Sequence, residues 1–247
     1  GIDHHKSYSR FSCMDEEGNI ITEKTLPTSK SAIQRFLNKV EGEEIKAVLE
    51  AGRNWGIMYD SLEELPGIKE IHLANPYKVR AIAEAQIKTD KIDARILAHL
   101  LRSNLIPSVW IPPREIRELK NIARHRLYIV KLRVQVKNRI HNIIDRNHLE
   151  CPGVSDLFGR YGMEWLGNVE LPEKERKLLD YHLELYKQLT EQQVQLERWL
   201  NRLFKDDEDV NNLSSIPGIG KTFGILIRLE IGDINRFANI GKLHSYS

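Results

Sequence analysis

The sequence predicts an α/β layered domain followed by two long helices and a short helical segment at the end. Over residues 1–112, strand-length apolar runs alternate with runs of helical period, the order expected where helices pack on a partly parallel sheet. Beyond Pro112-Pro113 the period becomes helical and stays so. The formal charge is only +2, from 37 Lys and Arg against 35 Asp and Glu, but it is unevenly distributed along those helices.

Residues 1–13 mix apolar and polar positions as one extended segment does, and Asp15-Glu16-Glu17-Gly18 is a turn signal before a second, Asn19 to Leu26. Ser29 or Ser31 caps a short helix with Ile33, Phe36, Leu37 and Val40 on one side. Ile45 to Ala51 reads as a largely apolar strand that closes near Glu50. A helix over Trp55 to Leu65 is stopped by Pro66-Gly67, and a strand over Ile68 to Leu73 stops at Asn75-Pro76. Thr89 or Asp90 starts a helix carrying Ile92, Ile96, Leu97, Leu100 and Leu101, which completes a first domain over 1–112.

The middle region, 113–209, opens with a helix over Ile116 to Ile144 in which apolar positions are interleaved with bases. From Arg114 to Arg146 the local charge is +7, whereas from Glu170 to Asp209 it is −4, so the first of these helices is the one expected to face a polyanion. Residues 151–167, rich in Gly and aromatics, read as an irregular connector. In the second helix, Glu173 to about Phe204, the positions Leu185, Leu189, Gln192, Leu196, Trp199 and Leu203 follow an a/d rhythm, which suits a coiled coil between copies of the chain or packing inside its own domain. Asp206 to Asp209 read as a solvated break, and 210–247 as the start of a third domain.

Composition excludes some classes. No run of eighteen apolar residues is present, so no membrane helix is expected, and Cys13 and Cys151 stand too far apart in sequence for a metal-binding spacing. Isolated cysteines of this kind suit a reducing, cytoplasmic setting. The absence of an initiating Met and a patterned segment that runs up to Ser247 suggest a piece of a longer protein.

Asp90 and Asp93, three residues apart, stand on one helical face, and two acids so placed repel unless a cation holds them. By themselves they are better read as residues suited to a helix start, Asp90 as its cap and Asp93 in its first turn. Asp3 on the first strand and Glu50 at the end of a later one add two carboxylates at places where open α/β sheets carry their sites. Four carboxylates suit Mg²⁺ or Mn²⁺, which prefer oxygen donors and can act in pairs during phosphodiester cleavage. Lys88, Lys91 and Arg95 flank the acids, and Arg124, Lys131, Arg133, Lys137 and Arg139 line the basic helix as candidate phosphate contacts. Gly218, Gly220 and Lys221 form a tight turn entering a helix, where backbone N–H groups can meet a phosphate, as in helix-hairpin-helix modules.

Taken in order, Gly1-Ile2-Asp3, Val48-Leu49-Glu50-Ala51, Ala74-Asn75-Pro76, Lys88-Thr89-Asp90-Lys91-Ile92-Asp93-Ala94, Ile216-Pro217-Gly218-Ile219-Gly220 and Glu230-Ile231-Gly232-Asp233-Ile234-Asn235-Arg236-Phe237 resemble the signatures of the DEDD transposases of bacterial insertion sequences, the bridge-RNA-guided recombinases related to pilin-gene invertases. The resemblance covers nearly the whole chain. It implies a Holliday-junction-resolvase-like, ribonuclease H-like first domain with Asp3, Glu50, Asp90 and Asp93 as catalytic and metal-binding acids. It further implies metal-dependent cleavage and exchange of DNA strands directed by a guide RNA, and a coiled-coil middle used in homo-oligomerisation. A nucleophilic serine is implied in a Ser-Gly context beyond the end of this chain, which Ser245 and Ser247 do not match. His4-His5 departs from the family pattern after the first acid and is read as a tolerated substitution. Two other readings remain at this point: a metal-dependent junction-resolving endonuclease, and a non-catalytic nucleic-acid-binding or assembly module.

Overall fold

The structure is a computed structural model that describes residues 1–40, 44–82 and 90–246, with the backbone alone described for 90–92. The chain divides into two units, Gly1–Ile111 and Pro112–Ser247.

The first unit is built on five strands: β1 (Ile2–His4), β2 (Tyr8–Met14), β3 (Ile20–Pro27), β4 (Ile45–Glu50) and β5 (Ile68–Ala74), in the spatial order β3-β2-β1-β4-β5. β1 runs antiparallel to β2 and parallel to β4, β4 runs parallel to β5, and the sheet is therefore mixed. The helices are α1 (Lys30–Leu37), α2 (Trp55–Glu63), α3 (Pro76–Ile82) and α4 (Asp90–Arg102). Of the two serines available, Ser29 caps α1, its hydroxyl accepting the Ala32 N–H.

Period-2 alternation divides the strand residues between two cores. Ile2, Phe11, Leu49 and Leu73 meet Ile33, Phe36, Met58 and Leu62 from α1 and α2. On the opposite face Val48 and Ala74 meet Leu97 and Leu100 of α4. Fully burying a side chain of this size contributes about 1.5–3 kcal/mol, so these two layers fix the strand register. On the α4 side the approach is very close: a Cβ on Gly1 would lie 2.0 Å from the Ala94 carbonyl oxygen, so only glycine lets the helix lie on β1.

Two features of this unit depart from expectation. The extended segment over 1–13 is two strands, because the chain folds back where the His5 N–H bonds the Tyr8 carbonyl (2.9 Å). Asn75-Pro76 does not merely stop β5 but also starts α3, since the Asn75 side chain accepts the N–H groups of Tyr77 and Lys78.

The second unit is helical: α5 (Arg114–Arg146), α6 (Arg160–Asn168), α7 (Glu173–Leu203), α8 (Glu208–Ser214), α9 (Lys221–Ile231), a 3₁₀ turn (Ile234–Arg236) and α10 (Ile240–His244). α5 and α7 are antiparallel, as Arg146 pairs with Glu175, Arg133 with Gln193 and Arg126 with Glu197. Ile140, Ile143 and Ile144 of α5 are buried with Leu179, Leu183 and Leu189 of α7 and Leu166 of α6, which forms within the expected connector. A second core gathers Ala123, Leu200, Phe204, Val210, Ile225 and Leu229 from α5, α7, α8 and α9.

The a/d series in α7 is not a single outward seam. Leu189 is buried and Leu196 packs against the same core, whereas Leu185, Gln192, Trp199 and Leu203 are exposed. The inward face is satisfied within the unit by α5, so only the exposed part remains for another partner. The acidic run after α7 is also structural in part: the Asp207 side chain caps α8 by accepting the Val210 N–H, and Asp209 pairs with Arg228 at 2.7 Å.

Candidate active site

Ile2 is the register partner of Leu49, so the next residues along these parallel strands, Asp3 and Glu50, stand at neighbouring carboxyl ends. Two-residue periodicity puts Asp3 on the same face as Gly1, which contacts α4, and Glu50 on the same face as Val48, which also packs against α4. Both acids therefore belong to the α4 side of the sheet.

The direction of α4 follows from its anchors. The Arg102 guanidinium donates to the Glu16 carbonyl (3.3 Å) in the turn after β2, which lies at the amino end of β1. Arg95 donates through both Nε and Nη2 to the Glu23 carboxylate of β3. The helix thus runs antiparallel to β1, and its first turn points towards the sheet edge where Asp3 and Glu50 stand. Asp93 is half-buried one turn before Leu97, a residue packed on the sheet. Asp90 opens the helix, and its side chain is outside the described residues, as are Lys88 and Thr89 in full.

Asp3 is largely shielded, its side chain 17% exposed, and its carboxylate lies 3.1 Å from the His5 imidazole. His4 contacts the Ser9 hydroxyl at 2.8 Å, and burial, followed by the neighbouring His5, pushes its pKa below the usual imidazole value. The histidine pair therefore has ordinary partners within the β1–β2 fold. The donors at this edge are carboxylate oxygens, chemically suited to a hard divalent cation. Among the described residues no three His, Cys, Asp or Glu side chains are grouped closely enough to hold a metal ion.

One network went unforeseen. Arg10, the register partner of Asp3, lies 3.6 Å from Glu23, and the Ser12 hydroxyl donates to the same carboxylate (3.4 Å). Glu23 is 10% exposed and joins Arg10, Ser12 and Arg95, so Arg95 is engaged in a structural pair rather than available for phosphate. The only signal in the sequence was an acid at an inward position of an edge strand.

The basic helix α5 has two kinds of cation. Arg124 donates two bonds to Glu230 (3.0 and 3.1 Å), Arg133 donates to Gln193 (2.6 Å), and the Lys137 ammonium lies 4.4 Å from the Phe158 ring centre. Lys131 and Arg139 are exposed. Lys120 is buried and reaches both the Glu230 carbonyl (3.2 Å) and its carboxylate (3.3 Å). Across the hairpin, burial and then Arg139 and Arg146 hold the His182 pKa below its usual value.

The turn between α8 and α9 has the expected geometry. Gly218 has φ +91°, a left-handed conformation that glycine adopts without strain, and no side chain caps α9 at Gly220. Lys221 begins the helix, and a Cβ at either glycine would meet open space.

The chain thus carries a mixed sheet with acids at its carboxyl edge, followed in sequence by a long basic helix and an open glycine turn. Residues 1–148 match the transposase family of the DEDD, IS110 type, and the chain belongs to that family. It is also similar to the transposase for insertion sequence element IS1328 from Yersinia enterocolitica, with 28% identity over 240 residues that cover 94% of this chain and 67% of the relative. No helix among the described residues is long and apolar enough to cross a membrane.

Proposed function

We propose that the first unit is a ribonuclease H-like catalytic domain in which Asp3, Glu50, Asp90 and Asp93 hold Mg²⁺ or Mn²⁺, and that the protein cleaves and exchanges DNA strands during transposition under the direction of a guide RNA. The observation that carries this reading is the shared placement of Asp3 and Glu50 at adjacent strand ends, on the face of α4, with the first turn of that helix directed to the same edge. Family membership supports DNA transposition in general. The guide RNA and the divalent ion come from the resemblance set out above.

In this reading the ion, when bound, neutralises developing charge on the phosphodiester and favours deprotonation of the attacking oxygen. The chain's own residues do the remaining work. Asp3 and Glu50 hold the site from the rigid sheet, Asp93 and Asp90 close it from the helix, and His5 restrains the Asp3 carboxylate by their 3.1 Å contact. Lys131, Arg139, Gly218 and Gly220 provide exposed contacts for phosphates, with the half-buried Lys221 beside the turn. The outward positions of α7, including Leu185, Gln192, Trp199 and Leu203, supply a seam for a second copy of the chain.

The test is thermal melting with and without Mn²⁺. An ion that binds only the folded state raises the melting temperature by mass action. Asp3→Asn and Asp93→Asn should each abolish most of that gain while leaving the metal-free melting temperature equal or higher, because like charges are removed. A Mn²⁺ response that is the same in all three proteins refutes the site.

A further inference from the structure

The Ala74-Asn75-Pro76 motif has no assigned work in the metal site, yet the residue it presents is conspicuous. Tyr77 is 82% exposed, although it follows directly on a strand whose last residue, Ala74, is fully buried. The turn that carries it is firmly held. The Asn75 side chain accepts the N–H groups of Tyr77 (3.0 Å) and Lys78 (3.2 Å), and the Asn75 N–H donates to the Pro107 carbonyl (3.0 Å). Two residues on, Val79 is buried with Val48 and Leu97. A side chain that only completed the core would be buried like Val79; here a fixed backbone holds an aromatic ring in solvent.

Its position gives the ring a use. Ala74 is the register partner of Glu50, so β5 delivers the turn to the carboxyl edge that carries the candidate acids. Three residues of chain span at most about 11 Å, which places Tyr77 within a few nucleotides of a strand lying at Glu50. Lys78 and Arg80 are exposed on the same helix, cations suited to the phosphates on either side of a base.

We propose that Tyr77 is a stacking platform for an unpaired base of the nucleic-acid strand that enters the candidate active site. The proposal rests on the nucleic-acid reading given above, but not on the metal. Stacking on a phenol ring accepts any base, so the site selects for an unstacked strand rather than for a sequence.

The experiment compares the parent, Tyr77→Ala and Tyr77→Phe in fluorescence-anisotropy titrations of end-labelled oligonucleotides. The probes are a single strand, a continuous duplex and a duplex interrupted by a short unpaired gap. Loss of one stacked base corresponds to roughly a 5- to 150-fold weakening. Tyr77→Ala should therefore lose about tenfold or more on the single strand and the gapped duplex, and about nothing on the continuous duplex. Tyr77→Phe should bind like the parent, and because the side chain is exposed, all three should melt alike. The proposal is overturned by equal losses on all three probes, by no loss on any, by Tyr77→Phe binding as weakly as Tyr77→Ala, or by a parent that binds none of the probes. A parent that gains no stability from Mn²⁺ but shows the selective Tyr77→Ala loss would refute the metal site and leave this inference standing; the opposite pair of results would do the reverse.

Discussion

Replacing Lys131 and Arg139 together by glutamine should remove the larger part of the phosphate contact made by α5. In the sequence pattern the five bases Arg124, Lys131, Arg133, Lys137 and Arg139 are alike. In the structure three of them are committed: Arg124 to Glu230, Arg133 to Gln193 and Lys137 to the face of Phe158. Lys131 and Arg139 are exposed and stand two turns apart, about 12 Å along the helix axis, so each can reach a phosphate of its own. Each duplex phosphate contact contributes about 0.9 to the dependence of log K on log salt, and the double substitution should flatten the slope by about 1.8. Between 50 and 200 mM salt the parent should therefore lose about twelvefold more affinity than the variant. The assay is a salt series of anisotropy titrations on duplex DNA. Arg133→Gln serves as the contrasting control, with a lowered melting temperature and a slope change well below that of the pair. An unchanged slope in the Lys131/Arg139 variant, or an equal flattening by Arg133→Gln without loss of stability, would refute the division of the helix into committed and exposed bases.

Two further outcomes are expected. Glu230→Gln removes the Glu230 carboxylate from the buried Lys120 ammonium, and because Glu230 is partly exposed the cost should be about 1–2 kcal/mol in urea unfolding; no measurable loss would contradict the account. The lowered His182 pKa means that the folded state keeps the imidazole neutral while the unfolded chain takes up a proton below 6.5, so stability should fall as pH drops through that value. Unfolding of the parent and His182→Gln at pH 7.5 and 5.5 measures this, and an identical pH dependence in the two proteins would exclude His182 as a contributor.

Much of the fold was legible because turn signals and periodicity agree locally. Pro66-Gly67, Asn75-Pro76 and Pro112-Pro113 bound real elements, and Glu50 was read at the end of a strand from its apolar run. What escaped depends on partners distant in sequence. Arg95 and Glu23 meet across 72 residues, and no local pattern separates such an arginine from one offered to phosphate. The a/d rhythm of α7 has the same weakness, since a 3.5-residue period identifies an apolar stripe but not what covers it. Leu189 turned out to face α5 and Leu185 solvent because α5 occupies one flank of the stripe only. α3 was missed for a local reason: Asn before Pro is read as a stop, yet the Asn75 amide oxygen is also a helix cap.

The Glu23 network also bears on how the candidate site can change. α4 carries Asp93 but is tied down elsewhere, by Arg95 to β3 and by Arg102 to the turn after β2. Next to Asp93, the Ala94 carbonyl lies against Gly1, so this acid is carried on a helix that is seated on the sheet and held by the β2–β3 hairpin. Substitutions at Arg10 or Glu23, neither of them a candidate acid, should therefore loosen the Arg95 anchor and shift Asp93 relative to Asp3 and Glu50.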